Sequence, residues 1–310
     1  MEEMLSRLAG MGRLDSQGSF SLDPARARLL LEKYRLPSAV YFMLHAVGAA
    51  VCSQASRVDI ELRSDRFRLT FDGDPFGPDD VDHCFASLWS PERDRAVMRL
   101  RELAIARGGA PGWGATDFRI APAPDRRQSI VVERKGLRSK MRRMLGVMAV
   151  SEEYYLLRQH LLSTPECQLW LNGRDLGEMK RPTRALRAAS WRAPELLEQL
   201  ETRQPARHLD QLAGLSADQQ ALLAGCRGLV CQLYSGALPA GADIIRSPWP
   251  GYLDLVLNGR LYRCALPRQW KDRWGLFWVS GCRRDLSHTN INSDDLQLFH
   301  RLLEVGLAEQ

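Results

Sequence analysis

Between residues 37 and 77 the chain runs through one helix, two strands and a tight turn without interruption, and that order restricts what it can fold into. Pro37 and Ser38 announce the helix, with Ser38 of N-cap type, and Val40, Met43, Leu44, Val47 and Val51 recur at helical spacing. The opposite face carries Tyr41, His45, Gly48, Ala49 and Cys52. Two runs then alternate apolar and polar residues, Val58/Ile60/Leu62 and Phe67/Leu69/Phe71, the period expected of half-buried strands. Ser64-Asp65-Arg66 joins them, and Asp72-Gly73-Asp74-Pro75-Phe76-Gly77 ends the second.

This order resembles the GHKL superfamily, which includes the ninety-kilodalton heat-shock chaperones, the B subunit of DNA gyrase, MutL and sensor histidine kinases. The resemblance implies an α+β protein in which a two-layer α/β-sandwich (Bergerat) ATPase-like domain is followed by a transducer-like domain. In the family the first helix carries a Glu and, four residues later, an Asn, and the turn carries Asp-x-Gly-x-Gly. Here His45 stands at the Glu, Ala49 at the Asn, Phe71 at the Asp, Gly73 at the first Gly and Pro75 at the second. Each departure has a chemical meaning. A general base must lie within hydrogen-bond reach of the attacking water, and His45 is the one side chain of this set able to take that role, since an imidazole titrates near neutrality. Mg²⁺ requires hard oxygen ligands, which Ala49 does not offer, so the family's usual ligand for it is missing. Phe71 continues the apolar alternation. Asp72, one residue on, is the candidate for base recognition together with Gly73, although a slip of one residue turns a strand side chain to the other face.

Residues 108–114, Gly-Gly-Ala-Pro-Gly-Trp-Gly, look like the gyrase version of the family's nucleotide lid. Gly109, Gly112 and Gly114 are the candidate phosphate-cradling positions, because glycine tolerates positive φ and lets backbone N–H groups approach phosphate. In the family the last glycine opens a helix, whereas Ala115 to Ile120, with Pro122 and Pro124 close behind, reads as a strand and loop. A connector after a helix over 92–107 is the alternative reading. Near the C-terminus Asn290-Ile291-Asn292-Ser293-Asp294-Asp295-Leu296-Gln297 looks like a chaperone middle-domain motif, with Ser293 where that motif has its phosphate-reaching Arg. ATP is the cofactor the resemblance implies.

With 310 residues, 45% hydrophobic and 26% charged, the chain is long enough for two domains. It has no apolar run of about 18 residues, and Met1-Glu2-Glu3-Met4 has neither the charge nor the apolar stretch of a secretion signal, so no membrane partner and a cytoplasmic location are expected. Seven scattered cysteines without a C-x-x-C pair give no metal pattern; they are expected to be reduced and mostly buried. The net charge of +6 is uneven. Arg126, Arg127, Arg134, Lys135, Arg138, Lys140, Arg142 and Arg143 form a basic run with the composition of either a nucleic-acid patch or a solvated face without interleaved aromatics.

From Arg181 a Leu/Ala/Arg/Gln-rich stretch punctuated by Pro182, Pro194 and Pro205 reads as short helices, with a capping box at Ser216 and Gln219. Residues 228–282 read as β-rich, with Asn258-Gly259 as a hairpin turn, and a helix is expected from about Asp294 to Leu307. The expected organisation is therefore an ATPase-like domain over 1–180, a helical connector over 181–227 and an α+β transducer-like domain over 228–310. Three functional readings stay open: a non-hydrolysing binding or scaffold module with a protein partner, with or without a nucleotide held by the Gly108–Gly114 loop, an ATPase of chaperone or topoisomerase type using displaced acids such as Glu61, Asp72, Asp74, Asp79 or Asp80, and a nucleic-acid-associated module using the basic run.

Overall fold

The computed structural model describes residues 36, 38–89, 94–134, 150–177, 185–192, 214–224, 226–233, 251–267, 270, 273–279, 282 and 291–308. Two mixed sheets and six α-helices make up the described part, an α+β architecture.

The alternation in the 57–71 hairpin does what its period dictates. Strands β1 (Arg57–Leu62) and β2 (Arg66–Phe71) pair antiparallel with Val58 opposite Phe71, Ile60 opposite Leu69 and Leu62 opposite Phe67, so all six apolar side chains share one face. The same face continues outward. β4 (Gln128–Arg134) sets Ile130 against Leu69 and Val132 against Phe67, and β5 (Gln168–Leu171) runs parallel to β1 with Leu169 beside Val58 and Leu171 beside Ile60. With β3 (Ala115–Pro122) at one edge and β6 (Arg174–Asp175) at the other, the first sheet is ordered β3-β4-β2-β1-β5-β6. The opposite face carries Asp59, Glu61, Arg68, Thr70 and Trp170, cross-linked by charge: Arg57 and Arg127 both pair with Asp59, and Arg63 and Arg66 with Glu61.

Helix α1 (Tyr41–Cys52) lies over the apolar face and is buried from Phe42 to Cys52. A helix apolar nearly all round, with Gly48, Ala49 and Ala50 on its surface, suits a position covered on several sides. Ser38 serves its start through its carbonyl, which accepts from Tyr41 N–H at 3.1 Å, rather than as the expected side-chain cap. Short helix α2 (Pro78–His83) starts with Pro at its first position, and Asp80 reaches back to Gly77 N–H at 3.0 Å. A 3₁₀ segment (Cys84–Trp89) then leads toward α3 (Arg95–Gly109), capped by Asp94 accepting from Val97 N–H at 2.7 Å. Helix α4 (Val150–His160) completes the first layer.

The second sheet is ordered β10-β9-β11-β8-β7, from β7 (Ala185–Arg192), β8 (Arg227–Leu233), β9 (Tyr252–Leu257), β10 (Arg260–Ala265) and β11 (Arg273–Val279). Asn258 and Gly259 both have positive φ, as the two-residue β9–β10 turn requires. Helix α5 (Ala217–Ala224) opens with the reciprocal cap expected from sequence: Gln219 N–H to Ser216 Oγ at 3.2 Å and Ser216 N–H to Gln219 Oε1 at 3.0 Å. Leu298, Phe299, Leu302 and Leu303 of α6 (Ser293–Ala308) join Leu253, Leu255 and Phe277 in one core.

One stretch departs from the sequence reading. Ala185–Arg192 is not a short helix but the edge strand β7, hydrogen-bonded along β8 with Ala188 opposite Cys231 and Ser190 opposite Leu229. A waiting sheet edge supplies ladder partners that outweigh the weak helix preference of an Ala/Arg/Leu segment.

The sheets meet through the β9–β10 turn. Leu162 N–H donates to Gly259 O at 3.0 Å, Trp278 Nε1–H to Ser163 O at 3.1 Å, and a Cβ on Gly259 would lie 3.1 Å from Leu169 and 3.3 Å from Val51. Elsewhere Gly73 is demanded by close approach, since a Cβ there would collide with the carbonyl of Ser53 at the end of α1. Gly73→Ala is therefore expected to lower stability by about 2 kcal/mol, the scale of a local overpacking, measured by chemical denaturation against the wild type.

Candidate functional site

His45, set on α1 by the helical spacing, points at α3 rather than at open space. Its Nδ1 lies 2.7 Å from Glu102 Oε2, and its Nε2 lies 3.3 Å from Arg260 Nη1 on β10. A guanidinium has only donors, so Nε2 must be the acceptor and the ring proton sits on Nδ1, donated to Glu102. The result is a buried line of carboxylate, neutral imidazole and guanidinium, with residues 2%, 1% and 4% exposed. Arg260 is also held over the rings of Tyr41, at 5.3 Å, and Tyr262, at 4.9 Å. Gly48, one turn beyond His45, makes room: a Cβ there would stand 3.0 Å from Glu102 Oε2.

The other sequence candidates lie at the two ends of α1. At its C-terminal end Asp72 accepts from Ser56 N–H at 2.9 Å, Ser56 Oγ–H at 2.5 Å and Arg57 N–H at 3.0 Å, which pins the entry into β1. Partial burial opposes its charge, and hydrogen bonds from the Ser56 hydroxyl and from backbone N–H groups outweigh that, holding the carboxyl below its usual range. Gly73 lies beneath it against Ser53, and Asp74 N–H donates to Ser53 O at 2.6 Å. At the N-terminal end, Gly109 closes α3 with its Cα against Leu36 and Phe42, and Gly112 faces Ala39. Gly114, at φ +81°, turns the chain into β3 and gives its N–H to Pro111 O at 2.9 Å. At 1.5 Å per residue, the two groups of glycines flank about 20 Å of α1. They do not converge on His45.

Ala49 and Phe71 are fully buried, and Ser293 begins α6. Among the displaced acids, Glu61 pairs with Arg63 and Arg66 on the outer sheet face, and Asp80 pairs with Arg99 at 2.8 Å. Of the basic run, Arg127 reaches Asp59 at 2.7 Å, and Arg134 donates to Ser64 O, approaches Glu153 at 3.4 Å and covers the Trp113 ring at 3.9 Å. Lys135, Arg138, Lys140, Arg142 and Arg143 lie outside the described residues. Burial pushes the thiols of Cys167 and Cys226 up to about 12, away from thiolate chemistry. Among the described residues no group of three His, Cys, Asp or Glu is gathered as a metal site, and no helix is long and apolar enough to cross a membrane.

Sequence reasoning named His45 and missed both of its partners. Glu102 sits among the Arg and Leu residues of α3 with no local signal, and Arg260 is 215 positions away. The one available hint was Gly48, a glycine inside a helix on the face of His45, which often marks a close approach.

No protein-family model matches the chain and no curated protein matches it. Solved structures similar to it include the ATPase region of Saccharomyces cerevisiae topoisomerase II, 8% identical with a TM-score of 0.42, and the same region bound to ICRF-187 (dexrazoxane), 7% identical with a TM-score of 0.45. Each comparison covers 87% of this chain and 84% of the other. The ATPase domain of the Aquifex aeolicus mismatch repair endonuclease MutL is 12% identical with a TM-score of 0.35, over 87% of this chain and 99% of that one.

Removing one member of a buried charged line leaves the opposite charge uncompensated. Glu102→Ala is expected to cost about 3 kcal/mol in denaturant unfolding, and His45→Ala combined with it to cost less than the two single losses added together. Asp72 gives a pH signature. Its folded carboxyl titrates below its unfolded one, so its contribution to stability is full above the ordinary Asp range, about pH 4, and is lost as pH falls through the folded value. Asp72→Asn is expected to flatten that acid limb of the stability curve, as read by thermal unfolding between about pH 2 and 6.

Proposed function

We propose that this chain is a GHKL-type fold retained as a non-hydrolysing binding or scaffold module, engaging a protein partner through its surfaces. One observation carries the reading: the side chain at the family's general-base position is enclosed between Glu102 and Arg260. A base must meet the proton it removes, directly or through one water. An imidazole with Nδ1 committed to a carboxylate and Nε2 facing a guanidinium has no lone pair left for water.

Three further features support the same reading. Ala49 supplies no oxygen for Mg²⁺. Asp72 is occupied with Ser56 and Arg57. The Gly114 N–H is spent within its own turn. A nucleic-acid role for the basic run draws less support, because Arg127 and Arg134 are tied to Asp59 and Glu153.

Calorimetric titration with ATP and with a non-hydrolysable analogue, each with and without Mg²⁺, tests the proposal. No saturable heat is expected at about 1 mM nucleotide, where even a weak complex worth about 4 kcal/mol would register. Micromolar binding that is lost in Gly112→Ala and Gly114→Ala would establish the glycine loop as a phosphate cradle, and release of phosphate from ATP by the same protein would overturn the proposal.

A further inference from the structure

Away from α1, the space between α4 and the second sheet forms a cleft of about 670 Å³, within the size range of small-molecule sites. Its floor is apolar, made by Leu162, Leu261, Leu276 and the buried ring of Trp274. At its mouth stands Tyr155, 59% exposed and the one large hydrophobic residue recorded as exposed among the described residues. Arg158 lies one helical turn further along α4, exposed on the same rim, with no carboxylate within ion-pair distance among the described residues.

The charge around this cleft is uneven in a definite sense. Asp254 is buried and fully engaged, taking two hydrogen bonds from Arg263, at 2.9 and 3.0 Å, and one from Trp274 Nε1–H at 3.1 Å. Asp175 accepts from Gly177 N–H at 2.7 Å. His160 faces the same space and is driven toward its neutral form chiefly by burial, with a backbone hydrogen bond at Leu261 opposing and the neighbouring charges of Arg260 and Arg263 adding to the shift. Arg158 is left as the cation available to a visitor. Asp254, buried and bridged to the exposed Arg263 and to Trp274, also fixes the wall, so the floor is preorganised rather than formed on binding.

We propose that this interlayer cleft binds a small organic anion with a flat apolar body, of the aromatic carboxylate class, its ring against Tyr155 and the leucine floor and its carboxylate on Arg158. The cleft adjoins the His45 line, with Arg260 a neighbouring charge of His160, but it does not depend on whether nucleotide binds elsewhere. Arg158 gives directional, bidentate recognition of a carboxylate, and Tyr155 gives a rigid ring to stack on at small entropic cost.

Titration of the full chain with 2-naphthoate, and in parallel with the neutral 2-naphthylmethanol, decides the matter, followed by calorimetry or by NMR shifts. Saturable binding of the naphthoate is expected, with clear preference over the alcohol. Arg158→Gln should weaken the naphthoate about tenfold, the scale of one hydrogen bond to a charged group, and erase the preference. Tyr155→Ala should weaken both probes. Both side chains are exposed, so neither change is expected to threaten the fold, and unchanged melting temperatures are the expected control. Absence of saturable binding, or an affinity for naphthoate unaltered by Arg158→Gln, would overturn the assignment.

Discussion

The Glu102–His45–Arg260 line ties three elements that have no covalent reason to stay together. Helix α3, helix α1 and the β9–β10 hairpin meet at one imidazole, and each contributes the partner that the others lack. Without Glu102 the ring loses the acceptor that fixes its tautomer; without Arg260 its second nitrogen is buried with no donor. Buried charges are expensive to desolvate, and such groups gain most when every lone pair and proton is used. The geometry here meets that condition at His45, and the cost of parting any one element is correspondingly high.

The same line explains why the second sheet sits where it does. Gly259 brings the β9–β10 turn against Leu169 and Val51, and the next residue, Arg260, then reaches His45. A side chain on that glycine would hold the turn away and pull the guanidinium out of reach. Hydrophobic burial under the first sheet, from Val58, Ile60, Phe67, Leu69 and Ile130, supplies most of the driving force, while the polar line selects one docking of the two layers over others that bury similar area.

Much of the local structure was legible because it is written in periods and short-range chemistry. The alternation of 57–71 gave the hairpin and its inward face, Asn258-Gly259 its turn, Ser216 and Gln219 their cap, and the apolar spacing of α1 its existence, though not its start at Tyr41. What depended on distant partners was not legible. Strand β7 exists because β8 offers an edge, and nothing within Ala185–Arg192 announces it. Asp72 reads in sequence as a candidate for base recognition, but the hairpin returns it to the Ser56 and Arg57 N–H groups at the start of β1. His45 was singled out by alignment, yet its chemistry is decided by residues 57 and 215 positions away.

The most direct test of this account is the protonation state of His45, observed by ¹⁵N NMR of the imidazole with and without ATP. A buried strut requires a proton held on Nδ1, a bare Nε2 and a spectrum indifferent to nucleotide. A ring protonated at Nε2, or one whose signals move on adding ATP, would contradict it and return His45 to an open site.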